Sequence, residues 1–148
     1  MRIMTVFTFL AATLLLAFAA QGAEDWKKIE NKIFSFSVPP SFKKTESKGI
    51  DSFAEEYVAD GIEITFDYGM YSNNFANWPK ETKFEELKID GKPAKTGIVK
   101  KDFHSGFPYS TQVRFNLDGH KALAMFAACK TEEDLALARK IFESIVFK

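Results

Sequence analysis

From Asp51 to Tyr71, apolar and polar residues alternate on both sides of Asp60-Gly61. Alternation of this kind marks half-buried strands. Asp-Gly between two such runs predicts an antiparallel hairpin with a tight primed turn, because both residues accept the positive φ that the turn demands. With Ala59 paired to Ile62, residues Phe53, Tyr57, Ile62, Ile64, Phe66 and Tyr68 share one face, which is the core side. Ser52, Glu56, Glu63, Thr65 and Asp67 fall on the other face. Glu55 lands on the apolar face and needs a partner there or a place at the sheet edge.

The rest of the chain reads by the same periods. Asp25 to Glu30 and Lys32 to Val38 flank Asn31 as a first hairpin; in its second arm Phe34, Phe36 and Val38 alternate with Ser35 and Ser37, a strand with a polar outer face. Pro39-Pro40 ends it, since neither proline has an N–H to give to a ladder. Ser41 to Ile50 is polar and lysine-rich and predicts a loop, as does Gly69 to Pro79, the longest irregular stretch. Phe84 to Ile89 and Lys95 to Phe103 flank a second Asp-Gly at Asp90-Gly91, with Pro93 implying an edge position or a late start to pairing.

Tyr109 to Asn116 and Lys121 to Cys129 flank a third, Asp118-Gly119. If Leu117 pairs with His120, then Tyr109, Thr111, Val113 and Phe115 share a face with Ala122, Ala124, Phe126 and Ala128. Large residues then oppose small ones, and a helix can approach closely. The other face would mix Ser110, Gln112, Arg114 and Asn116 with Leu123, Met125, Ala127 and Cys129. Thr131 predicts an N-cap, followed by Glu132, Glu133 and Asp134 where backbone amides favour negative charge. Leu135, Ala138, Ile141, Phe142 and Ile145 recur at helical spacing as the buried stripe; the helix should end near Ser144, with Val146-Phe147 returning to the sheet. The fold class is therefore α+β: an antiparallel sheet of six to eight strands, built from three or more hairpins, with a C-terminal helix packed on one face.

Composition adds a compartment. Arg2 is the only charge ahead of an apolar run from Met4 to Ala20, and small residues then offer cleavage after Ala19 or Gly22. This is the pattern of a secretory signal peptide over residues 1–22, leaving a single domain over 23–148, periplasmic or secreted. The apolar run approaches the length of a membrane span, so a retained anchor is the rival reading. Basic and acidic side chains number 20 each, so no bulk field draws the chain to nucleic acid or, once the leader is removed, to a membrane. Charge is uneven along the chain, with six acids and no base from Asp51 to Asp67 and seven lysines against four acids from Lys80 to Lys101. Pairing between neighbouring strands would account for that. Cys129 is the only cysteine, which excludes an intrachain disulfide and suggests a small buried core residue; stability must come from the aromatic core that 16 phenylalanines allow.

Catalytic spacing is missing. His104 and His120 stand alone in turns without ligand spacing, so no metal and no cofactor is expected. Asp102, His104 and Ser105 name a hydrolase triad, but on a short extended segment their side chains point apart and no nucleophile elbow is present. The best candidate constellation is Asp51, Ser52, Asp67, Tyr68, Gly69, Tyr71, Ser72 and Asn73, brought together at the open end of the central hairpin. Carboxylates, hydroxyls and amides there could ligate a hard cation or hydrogen-bond a polyol, although they are also ordinary turn formers. Gln112 and Arg114, beside Leu123 and Met125, could line a groove for an anionic or amide-bearing ligand, unless Arg114 simply pairs with a carboxylate on a neighbouring strand.

Three passages resemble a known family: Phe34-Ser-Phe-Ser-Val-Pro-Pro-Ser-Phe42, Ile89-Asp-Gly-Lys-Pro-Ala94 and Thr131 through Phe147. Together they look like the small exported α/β sandwiches of the PsbP/Mog1-like type. The resemblance implies that fold and a tendency to serve as accessory or binding modules; it assigns no functional residue. The expected function is an exported, non-catalytic binding or accessory module for a protein or small ligand of the cell envelope or exterior. The alternatives are a hydrolase using Asp51 and Asp67, and a self-associating structural protein of the envelope.

Overall fold

A computed structural model describes residues 25–46, 53–70, 72–103 and 105–148. The leader, Asp51, Ser52, Tyr71 and His104 lie outside the described residues. Among the described residues, ten strands form two antiparallel sheets. The larger has seven strands in the order β3 (Lys43–Lys44), β4 (Phe53–Ala59), β5 (Ile62–Gly69), β9 (Ala122–Cys129), β8 (Tyr109–Asn116), β7 (Lys92–Val99) and β6 (Lys83–Ile89). The smaller has β2 (Phe34–Val38) between β1 (Lys27–Glu30) and β10 (Val146–Phe147). The larger sheet is the expected antiparallel sheet of six to eight strands with the C-terminal helix on one face, and β1, β2 and β10 form the second layer of the sandwich, β2 ending at Pro39-Pro40. Ser35 is consequently buried between Glu30 and Val146, its Cα partners on the two flanking strands, instead of lying on a polar outer face.

The central hairpin has the expected register, Ala59 opposite Ile62 and Phe53 opposite Tyr68. Ile62, Ile64 and Phe66 are fully buried, and Phe66 meets Phe34 at a centroid distance of 5.0 Å across the two sheets. Glu55 finds its partners on the same face: the Tyr57 hydroxyl donates to it at 2.7 Å, and Lys44 pairs with it at 2.7 Å. The turn itself differs from expectation. Only Gly61 takes a positive φ there, whereas Asp90 and Gly91, at φ 51° and 72°, form the primed turn of the second hairpin. Pro93 neither delays the hairpin nor puts β7 at the edge: β7 pairs with β6 from Lys92 onward, Pro93 lying opposite Lys88, and it is only on the β8 side that pairing begins at Lys95.

The third hairpin is corrected by one residue. Leu117 N–H donates to Lys121 O at 2.8 Å, so three residues, Asp118 to His120, make the turn, with Gly119 and His120 at φ 72° and 62°. Phe115 therefore faces Leu123, Val113 faces Met125 and Thr111 faces Ala127. A slip of one residue exchanges faces. Leu123, Met125, Ala127 and Cys129 go to the core, and Ala122, Ala124, Phe126 and Ala128 go to the outer face with Ser110, Gln112, Arg114 and Asn116. The helix α1 (Glu132–Glu143) still covers the Val113 and Phe115 side of β8, burying Ala138, Ile141 and Phe142. Thr131 caps it: Asp134 N–H donates to Thr131 Oγ1 at 3.1 Å, and Thr131 N–H donates to the Asp134 carboxylate at 3.0 Å. Ser144 closes the other end, accepting from Ser37 N–H at 2.9 Å and so tying the helix to β2.

The charge pattern is also corrected. β9 and β8 stand between the acidic hairpin β4–β5 and the lysine-rich hairpin β6–β7, so the two do not neutralise each other across adjacent strands. Arg139 reaches from the helix to Glu85 with two hydrogen bonds, at 2.8 and 3.2 Å, and holds that carboxyl below the usual range.

Candidate functional site

Among the described residues, no helix and no second sheet lies on the outer face of the large sheet. Its centre is lined by small or polar residues because of the register of β9: Ala122, Ala124 and Ala128 lie across from Asn116, Arg114 and Ser110, and Phe126 lies across from Gln112. The segment 72–82 crosses part of this face as a loop. Asn73 and Asn74 act there as turn formers, their side-chain oxygens accepting from Phe75 N–H at 3.3 Å and Ala76 N–H at 3.1 Å. Phe75, at φ 65°, is buried on the sheet where Gly97 leaves it room; a Cβ on Gly97 would stand 2.8 Å from the Phe75 ring. Phe75 contacts Trp78 and Phe84 edge to face, at 5.0 and 5.3 Å.

Two strand residues hold the loop down. Gln112 Nε2 and Arg114 Nε both donate to the backbone oxygen of Asn73, at 3.3 and 3.0 Å. The second segment, Lys101 to Phe103, is fixed by Ser110, whose hydroxyl donates to Lys101 O at 3.0 Å. The two segments meet over Phe126. Trp78 lies 5.4 Å from Phe103 and 6.3 Å from Phe126, and Phe103 lies 6.2 Å from Phe126. A shallow cleft of about 190 Å³ beside these rings is lined by Asn73, Trp78, Phe103 and Phe126. None of the described residues that line it is charged. Cations stand over ring faces around it, Lys95 over Phe84 at 4.3 Å and Lys101 over Phe103 at 4.8 Å.

The sequence-derived constellation is divided by this geometry. Asn73, Gln112 and Arg114 come together through the Asn73 carbonyl, although they stand some forty residues apart in the chain. Ser72 is buried next to them, and its hydroxyl makes no hydrogen bond within the protein. Asp67 shares the outer face, between Ala54 and Ala124, with one carboxyl oxygen buried and unpaired. Tyr68 turns to the other face, at a basin of about 290 Å³ that also includes Lys92, Asn116 and Phe147. Gly69 ends β5 opposite Ala122. Arg114 has Ala124 and Lys95 as its Cα partners, so the expected carboxylate across the strands is not there, and Leu123 and Met125 lie on the opposite face from it. Among the described residues no three His, Cys, Asp or Glu side chains converge to hold a metal ion.

Trp78, Phe103 and Phe126 were not singled out by sequence reasoning. The available signal was a large aromatic residue inside an otherwise polar loop: Trp78 follows Asn77, and Phe103 sits after Lys100-Lys101-Asp102. Half-exposed rings at such positions, Phe103 being 39% accessible, are not needed for the core.

No family model matches the sequence, and no curated protein matches it. Among solved structures, the fold is similar to cyanobacterial PsbP (CyanoP) from Synechocystis, with a TM-score of 0.58 and 10% identity over 87% of this chain and 96% of that one. No helix among the described residues is long and apolar enough to cross a membrane. At that level of identity the likeness concerns architecture alone: two antiparallel sheets and one C-terminal helix, a PsbP-like fold.

Proposed function

We propose that the protein is an exported, non-catalytic binding module whose recognition site is the cleft on the outer face of the seven-stranded sheet. Export is supported by the leader pattern ahead of Ala23. Binding is supported by one observation above the rest: Trp78 and Phe103, from loops separated in sequence, converge at the surface over Phe126 instead of joining the core between the sheets. A concave, uncharged, aromatic-lined site with a few fixed polar groups is the usual form of a small-ligand pocket. The loop backbone is anchored by Gln112 and Arg114, so the site is largely organised before a ligand arrives.

The test is recovery of the protein from its native compartment, wild type beside a Trp78→Ala, Phe103→Ala variant, with bound material identified by mass spectrometry. A species retained by the wild type and lost from the folded variant is the expected result. The same species on both proteins, in equal amount, would exclude the cleft as the site.

A further inference from the structure

The two ends of the seven-stranded sheet are finished differently. At one end β3 is two residues long, Lys43–Lys44, and gives a neighbouring strand almost nothing to pair with. At the other end β6 runs for seven residues, Lys83 to Ile89, and all of them except Leu87 and Ile89 are exposed. Among the described residues no strand pairs with its outer side. A long open edge is a template for another strand unless its side chains forbid the pairing.

The turn decides which backbone groups of β6 point outward. Asp90 and Gly91 make a two-residue primed turn, so Ile89 and Lys92 exchange backbone hydrogen bonds, and the bonded positions then alternate along β6. Ile89, Leu87, Glu85 and Lys83 are thereby spent on β7. Two contacts agree with this. Glu85 O accepts from the Thr96 hydroxyl of β7 at 3.4 Å, and Pro93, which has no N–H to give, falls opposite Lys88 at an unbonded position. The N–H and C=O groups of Phe84, Glu86 and Lys88 are left facing outward.

A second copy of β6 running antiparallel can bond to this edge only where an outward-facing residue stands opposite another. The allowed registers are therefore those centred on a single residue. Centring on Lys83, Glu85, Glu86 or Lys88 sets like charges face to face on the two-fold axis, which is unfavourable. Centring on Ile89 runs into the turn. Centring on Phe84 would draw for its ion pairs on Glu85, which Arg139 already holds with two hydrogen bonds. Leu87 is the remaining centre. There Leu87 meets Leu87 of the copy, Glu86 meets Lys88 in both directions, and the outward backbone groups of Glu86 and Lys88 are all paired. Neither Glu86 nor Lys88 has an ion pair of its own among the described residues.

We propose that the protein associates as a two-fold symmetric dimer through β6, antiparallel to its copy, with Leu87 on the axis and Glu86 opposite Lys88 in each direction. The edge is separate from the cleft, none of whose lining residues lies on β6.

The test is the weight-average mass by sedimentation equilibrium at low salt, with the protein taken from about 10 μM to about 1 mM, the range in which a small polar interface assembles. The mass should climb toward twice that of the single chain. Glu86→Lys sets lysines opposite lysines, and Lys88→Glu sets glutamates opposite glutamates; each should weaken association roughly tenfold or more. Both substitutions in one chain recreate the opposite-charge pairs and should restore the dimer, as should mixing the two single variants. The positions are exposed, so the urea midpoint of each variant should stay close to that of the wild type. A monomer at every concentration would overturn the proposal. So would a dimer that the single variants form as tightly as the wild type, or one that the double variant fails to restore while remaining folded.

Discussion

Cys129 is fully buried, and burial, reinforced by the nearby Asp134 carboxylate, pushes its thiol up to about 12. Tyr57 is displaced in the same direction, first by burial and then by the hydrogen bond that its hydroxyl donates to Glu55. Both groups hold in the folded state a proton that the unfolded chain releases at lower pH. The stability they contribute is therefore complete below the unfolded pKa and is lost as pH rises toward the folded one. For Cys129 that window opens at the ordinary thiol value of 9.0 and runs to about 12. Urea unfolding across this range should show the wild type losing stability faster with pH than Cys129→Ala. Parallel curves for the two proteins would contradict the assignment. Glu55 and Cys129 were legible from sequence because each depends on one local property, parity in a strand for the first and a place at the end of an apolar run for the second. Trp78 and Phe103 were not, because a loop has no period from which the direction of a side chain can be read.

At the scale of elements, the decisive case is β9. Its sequence, Ala-Leu-Ala-Met-Phe-Ala-Ala-Cys, is apolar at every position, so polarity cannot say which residues face the core. Only the length of the Asp118–His120 turn decides it, and a three-residue turn reverses the parity that a two-residue turn would give. β4 and β5 alternate more plainly, and their register was legible for that reason. The same limit applies to charge. Acidic and basic hairpins can be recognised in sequence, but the strand order that puts β9 and β8 between them depends on pairings far apart in the chain.

Gly97 connects element to site, because it is the place on β7 where the Phe75 loop packs down. A Cβ there would meet Phe75 at 2.8 Å, Phe84 at 3.1 Å and Thr82 at 3.2 Å. Gly97→Ala should cost about 1–3 kcal/mol, the range for overpacking, measured by urea unfolding, and should also disturb Trp78 emission. Unchanged stability with unchanged emission would show that the loop is not seated on the strand as described.

At the scale of the molecule, the sheet has two faces with different roles. The inner one meets the small sheet and the helix, its Tyr57 and Phe66 packing against Phe34 and Phe36 of β2. The outer one is partly covered by loops, where chemistry can vary without disturbing the core. The similarity to a cyanobacterial protein at 10% identity fits this division, since a shared architecture does not require shared surface residues. The central claim, that the outer face carries the binding site, is tested most directly by mapping amide and side-chain shifts in ¹H–¹⁵N spectra during titration with p-cresol, an aromatic probe for a ring-lined cleft. The expected result is a set of perturbations confined to Asn73, the Trp78 indole, Phe103, the Gln112 carboxamide and Phe126. Perturbations centred instead on the basin at Tyr68, Lys92 and Phe147, with the cleft silent, would contradict it.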